Sequence, residues 1–177
     1  MRLYHGSDVA VSHPLISFND GFADLGRGFY LTDDRDVARR RAESRARKTG
    51  GIAVVSVFEF DDSELPWVSW GSTGLPETSG INAPFGLRFD TDPAGLAAWA
   101  EYIKACRAGR TELPGLGSPA IVRAWIATEE IEMVYAGLVT AQELANAIDP
   151  AELIVQYCFA DQEAIDCRLT YVEAKSL

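Results

Sequence analysis

Ile52 to Phe60, IAVVSVFEF, is the segment that most limits what this chain can fold into. Its β-branched and aromatic residues favour a strand, and apolar side chains at nearly every position leave no face for water. Such a strand belongs inside a sheet, covered on both sides. Just before it, Asp33, Asp34 and Asp36 crowd a first helical turn and Arg45, Arg47 and Lys48 a last one, as the helix dipole prefers, and Gly50-Gly51 ends the run. A helix is therefore predicted over about 33–48. Two short strands precede it: Arg2 to His5, ending at Gly6, and GFYLT, where Gly28 allows close backbone approach and Thr32 stands where a helix cap is expected.

Beyond Phe60 the pattern loosens. Glu64 to Phe85 holds three prolines, three glycines and two tryptophans without a period, which predicts a long loop or insertion at about 61–86. Pro93 to Arg107 places Leu96, Trp99, Ala100, Ile103 and Cys106 at helical spacing, so Trp99 is expected to pack in the core. After a turn-rich connection, Gly109 to Ala120, the apolar stretches IVRAWIA and IEMVYAG suggest a hairpin around Thr128 to Glu130. Thr140 and Glu143 form a capping-box pattern for a short helix that Asp149-Pro150 ends. ELIVQYCF then predicts a buried strand carrying one polar residue, Gln156, and RLTYVEA a last strand. Strands and helices mix without a regular βαβ rhythm, so the expectation is one α+β domain over residues 1–177.

A formal charge of −10 argues against broad attraction to nucleic acid or anionic membrane. The exception is Asp33 to Lys48, which carries +3 while the remainder carries −13. Cys106, Cys158 and Cys167 are odd in number and show no C-x-x-C spacing, so no metal site and no disulfide framework is expected, which suits a reducing cytoplasm. Neither a basic-then-apolar leader nor a membrane-length apolar run is present in this sequence, so no membrane partner is expected; signal-free export as an effector fits equally well.

LYHGS (Leu3 to Ser7) followed by DLGRGFYLT (Asp24 to Thr32) resembles the signature of the ADP-ribosyltransferase superfamily, in its diphtheria-toxin and poly(ADP-ribose)-polymerase branch. More closely, the chain resembles the bacterial DUF3990 family, through those two segments together with AAWAEYIKACRAG and QYCF in the same order. That resemblance implies a split β-sheet flanked by helices, with a cleft that binds NAD as co-substrate, its nicotinamide end between the first two motifs. His5, Tyr30 and Gln156 would be the catalytic residues. His5, Gly6, Ser7, Arg27, Gly28, Phe29 and Tyr30 would hold the dinucleotide: His5 on a ribose hydroxyl, the Gly6 backbone on the carboxamide, Tyr30 against the ring.

In that branch a glutamate usually stands at the position of Gln156. The hydrogen bond survives the exchange but the charge does not, and Glu129, Glu152 or Glu163 are the carboxylates expected to compensate. Arg40 and Arg41 stand where relatives offer a second stacking aromatic, and ATEE (Ala127 to Glu130) where they carry an acidic segment. The activity implied is mono-ADP-ribosyl transfer by a bacterial toxin or effector to a macromolecular acceptor, a protein before a nucleic acid, with a neutralising antitoxin or immunity protein as a further partner. The alternatives are a non-catalytic NAD-binding or sensing module and an NAD glycohydrolase.

Overall fold

The computed structural model describes residues 1–16, 23–75, 84–127 and 129–177. Among the described residues, eight strands and five α-helices make a mixed α+β fold around one sheet, ordered β4-β5-β6-β7-β2-β1-β3-β8. The IAVVSVFEF run forms β3 (Val54–Phe60), placed between β1 (Arg2–Ser7) and β8 (Leu169–Ser176) and antiparallel to both. Six of its seven residues are buried, as a strand covered on both faces requires.

β2 (Phe29–Thr32) pairs along its whole length with β7 (Val155–Phe159), and β1 pairs along its whole length with β3. Between β1 and β2 the register holds a single pair, Tyr4 opposite Thr32. The sheet is thus two laddered halves joined at one point, and it opens beyond that point toward His5 to Ser7 on one side and Tyr30 and Phe29 on the other.

α1 (Arg35–Thr49) closes one half. Its N-cap is Asp34, whose carboxylate accepts from the amides of Asp36 and Val37, and it stops at Gly50. Thr32, two residues earlier than the true cap, instead donates its hydroxyl to the Val155 carbonyl (2.8 Å) and accepts from the Asp34 amide (3.2 Å), so it belongs to the sheet. The buried face of α1 is small, Val37, Ala38 and Ala42. Opposite those alanines lies Gly6, where an added Cβ would run into the Ala38 carbonyl oxygen and come within 2.9 Å of the Ala42 nitrogen. The bare Cα of Gly6 is what lets the helix lie directly on β1.

On the other half, α2 (Pro93–Arg107) packs on the sheet with α3 (Glu129–Tyr135) and α4 (Ala141–Ala147) against it. Trp99 is fully buried there and meets Trp125 edge-on, with ring centroids 5.4 Å apart. A second core, holding Leu3, Phe58, Phe60, Tyr157 and Phe159, lies on the opposite face beside α5 (Gln162–Arg168).

Two expectations are corrected. The segment read as a loop contains β4 (Trp67–Trp70), and β5 (Gly86–Phe89) begins at its far edge; β4, β5 and β6 (Ile121–Trp125) are mutually parallel, and β5-α2-β6 is a crossover unit. Residues 76–83 of that segment lie outside the described residues. The hairpin expected at Thr128 to Glu130 is absent: IEMVYAG falls largely in α3, with Ile131 and Val134 buried at helical spacing, and Thr128 lies outside the described residues. The capping box of Thr140 and Glu143 is present as read.

Candidate functional site

The opening between β1 and β2 is the floor of a cleft of about 740 Å³, within the usual range for small-molecule sites, ~300–1,000 Å³. His5, Gly6, Ser7, Gly28, Phe29, Tyr30 and Gln156 all line it. Arg27 does not; it is exposed and donates from Nε to the Ile16 carbonyl (3.3 Å).

Strand alternation explains what each half offers. The Phe60 amide donates to the Met1 carbonyl and the Met1 ammonium to the Phe60 carbonyl, so odd-numbered residues of β1 direct their backbone groups to β3 and even-numbered ones away from it. Gly6 therefore turns its N–H and C=O toward β2, on the side where the ladder has ended. Across the opening the Tyr30 carbonyl is held by His5, whose Nδ1 lies 2.8 Å away. Because a carbonyl can only accept, Nδ1 carries the proton, and Nε2 is left as an acceptor. Burial pushes the His5 pKa down to about 4 against the raising effect of that hydrogen bond, and the charges of Arg41 and Arg45 push the same way, so the ring is neutral at pH 7. Its face rests against Phe29, with centroids 4.5 Å apart.

Tyr30 is fixed at its far end. Its hydroxyl donates to the Gly26 carbonyl (2.5 Å) and accepts from the Leu25 amide (3.1 Å). Burial raises its phenol further above the ordinary range, so it acts at neutral pH as an oriented ring and not as an acid. Gly28 permits that placement: a Cβ there would meet the Cys158 sulfur and come within 2.7 Å of the Phe159 carbonyl. Cys158 itself is buried, and burial pushes its thiol up to about 12, which makes it a packing residue.

Gln156 sits on β7 opposite Thr32, in one cross-strand row with Tyr4. It is 2% exposed, and its Nε2 donates to the Trp125 carbonyl (3.0 Å). Oε1 accepts nothing among the described residues, and a small side cavity of about 20 Å³ beside Thr32 and Arg41 shares Gln156 with the main cleft. Glu129, Glu152 and Glu163, the carboxylates expected to compensate, are exposed and do not line the cleft.

The remaining walls come from tertiary packing that no local motif announces. Close seating of α1 on Gly6 carries Arg41, Ser44, Arg45 and Lys48, at i, i+3, i+4 and i+7, onto the cleft edge. Arg45 pairs with Asp8 (3.1 Å), while Arg41 and Lys48 have no acidic partner among the described residues. Arg40 does not line the cleft. The chain after β1 adds Val9, Val11, Leu15 and the exposed His13 to the lining of the cleft. Ser56 of β3 accepts from the Val11 amide (2.9 Å), and Gln162 of α5 grips the end of this segment by donating to the Pro14 carbonyl and accepting from the Ile16 amide. Across the seam from α1, Asp24 lines the cleft and receives Arg107 of α2.

Residues 1–70 match the model of a family described as "Protein of unknown function (DUF3990)". The family likeness is shown over that span. It covers β1, β2, α1, β3 and β4, hence His5, Tyr30 and the basic helix face, while QYCF with Gln156 lies outside it. No curated protein and no solved structure matches the chain. Among the described residues no helix is long and apolar enough to cross a membrane.

Proposed function

We propose that the cleft binds NAD and that the chain is an NAD-dependent mono-ADP-ribosyltransferase with the split-sheet fold of that superfamily. The observation that carries this reading is the meeting, at one opening in the sheet, of a neutral histidine acceptor, a free-running backbone edge at Gly6, an immobilised tyrosine ring and a basic helix face. Nε2 of His5 accepts from a ribose hydroxyl, the Gly6 edge matches a carboxamide that both donates and accepts, and the Tyr30 ring offers a flat apolar surface to nicotinamide. Arg41 and Lys48 suit the pyrophosphate.

In the reaction the bond between ribose C1′ and the nicotinamide nitrogen breaks, its electron pair leaving with nicotinamide. An oxygen or nitrogen of the acceptor bonds C1′ and releases its proton. The residues that fix ribose and ring hold the sugar in the geometry this step needs. The net charge of −10 favours a protein acceptor over a nucleic acid.

One observation favours a second reading. Gln156 is neutral and spends its amide on Trp125, so the position contributes hydrogen bonding and shape but no charge to an oxocarbenium-like ribose. Lost electrostatic stabilisation of this kind costs on the order of 10²-fold or more in rate. A module that binds NAD and turns it over slowly, by hydrolysis or not at all, is consistent with that. Mass spectrometry of a bacterial lysate incubated with the protein and NAD separates the readings. ADP-ribosylated peptides that vanish in His5→Ala support transfer; free ADP-ribose with nicotinamide supports hydrolysis; unaltered NAD alongside a thermal shift supports binding alone.

A further inference from the structure

Asp24 is the single carboxylate residue lining the main cleft among the described residues, and it lies at the Tyr30 end. It immediately precedes Leu25 and Gly26, whose backbone groups hold the Tyr30 hydroxyl. Arg107 donates to it from both Nε (3.2 Å) and Nη2 (2.7 Å), but both bonds fall on Oδ1, so Oδ2 accepts nothing among the described residues. The same guanidinium is shared with Glu132 (2.8 Å). Two carboxylates divide one cation, and the cluster keeps a net charge of −1. The side chains of Asp24 and Arg107 are 24% and 18% exposed and that of Glu132 61%, so water screens Glu132 well and Asp24, at the cleft, only partly.

Across the seam the sign reverses. Arg41, Arg45 and Lys48 line the α1 wall, and among the described residues Asp8 is the one acid paired with them, through Arg45. We infer that the cleft is bipolar and selects its dinucleotide by charge, Asp24 receiving a cationic ring at the Tyr30 end while the α1 wall receives the phosphates. The ligand class that fits is a dinucleotide with a positively charged ring and an anionic diphosphate, and Asp24 is the residue that distinguishes an oxidised ring from a reduced one. This rests on the NAD reading above.

Oxidised and reduced dinucleotide share ribose, diphosphate and adenine, and they differ in ring charge. Calorimetric titration of the full chain with each is the test. The wild type is expected to bind the oxidised form at least about tenfold more tightly, ~1.4 kcal/mol. In Asp24→Asn, which keeps an oxygen for Arg107, the two affinities should converge to within about threefold, with the change falling on the oxidised form. Equal wild-type affinities, or a preference that survives in Asp24→Asn, would overturn the inference and leave the NAD reading standing. Binding of neither dinucleotide would remove the NAD reading itself, and the inference with it. Should Asp24→Asn not fold, the wild-type ratio alone decides.

Discussion

Replacing Gln156 by glutamate puts a carboxyl at a buried position of the cleft, and the structure predicts that the exchange is costly. Gln156 is 2% exposed, and its amide nitrogen donates to the Trp125 carbonyl at 3.0 Å. In Gln156→Glu an oxygen stands where that nitrogen was. When ionised it has no proton to give, and a buried charge faces a carbonyl dipole of the wrong sign. An unsatisfied buried group costs ~1–3 kcal/mol, and more when charged. Access to the cleft through the second oxygen relieves part of this, so a loss of ~3 kcal/mol at pH 7 is expected.

The protonated acid can donate to Trp125 and recovers most of the loss. Burial thus raises the carboxyl above its unfolded value of ~4.3, and ~3 kcal/mol corresponds to about two pH units. For a folded-state pKa that is raised, stability is present below the unfolded value and lost as pH rises through the folded one. The deficit relative to wild type should be near zero at pH 4, grow between about pH 4.3 and 6.5, and level off above that. Urea unfolding of both proteins at unit pH steps measures it. A control, Gln156→Met, also abandons the carbonyl but should show a deficit independent of pH. Equal stability at pH 7, or a flat deficit in Gln156→Glu, would refute the assignment of the amide to Trp125.

Protonation of His5 is disfavoured by folding, so stability should fall as pH drops from 6.5 toward 4, by ~2–3 kcal/mol after allowance for its partial exposure, and His5→Asn should lack that slope in calorimetric melting. Gly6→Ala drives a Cβ into the Ala38 carbonyl and should lower stability by at least the ~1–3 kcal/mol typical of overpacking, read from the denaturation midpoint. Arg41→Glu has no native salt bridge to break among the described residues, so its melting temperature should stay within about a degree or two of wild type while NAD affinity falls about tenfold, an effect that added salt should shrink.

Local chemistry made much of the fold legible. The apolar run of β3, the charge gradient and glycine stop of α1, the helical spacing of α2 and the capping box of α4 each state their element within a few residues. β4 and β5 are not legible because each is four residues long, β4 set between Pro66 and Gly71 and β5 starting on Gly86, too short for a period to register. α3 was misread because MVY favours strand locally, whereas burial of Ile131 and Val134 three residues apart on α2 decides for helix.

The site was legible where one motif holds its own parts. His5, Gly6 and Tyr30 stand at the seam because HGS and GFY are the strand ends that part there. The reason for Gly6 was only half visible: its missing side chain makes room for α1, and strand alternation is what turns its backbone to the cleft. Asp24 could have been suspected from its place in DLGRGFY, but its partner Arg107 lies 83 residues away, and no local pattern announces that pairing.

The central claim is that the opening between β1 and β2 is an NAD site, and thermal unfolding of the purified chain with and without NAD tests it most directly. At a hundredfold excess over the dissociation constant, wild type should gain ~2.7 kcal/mol, with the gain lost in His5→Ala and reduced in Arg41→Glu. No stabilisation of the wild type at millimolar NAD, or an equal shift in all three proteins, would contradict the account.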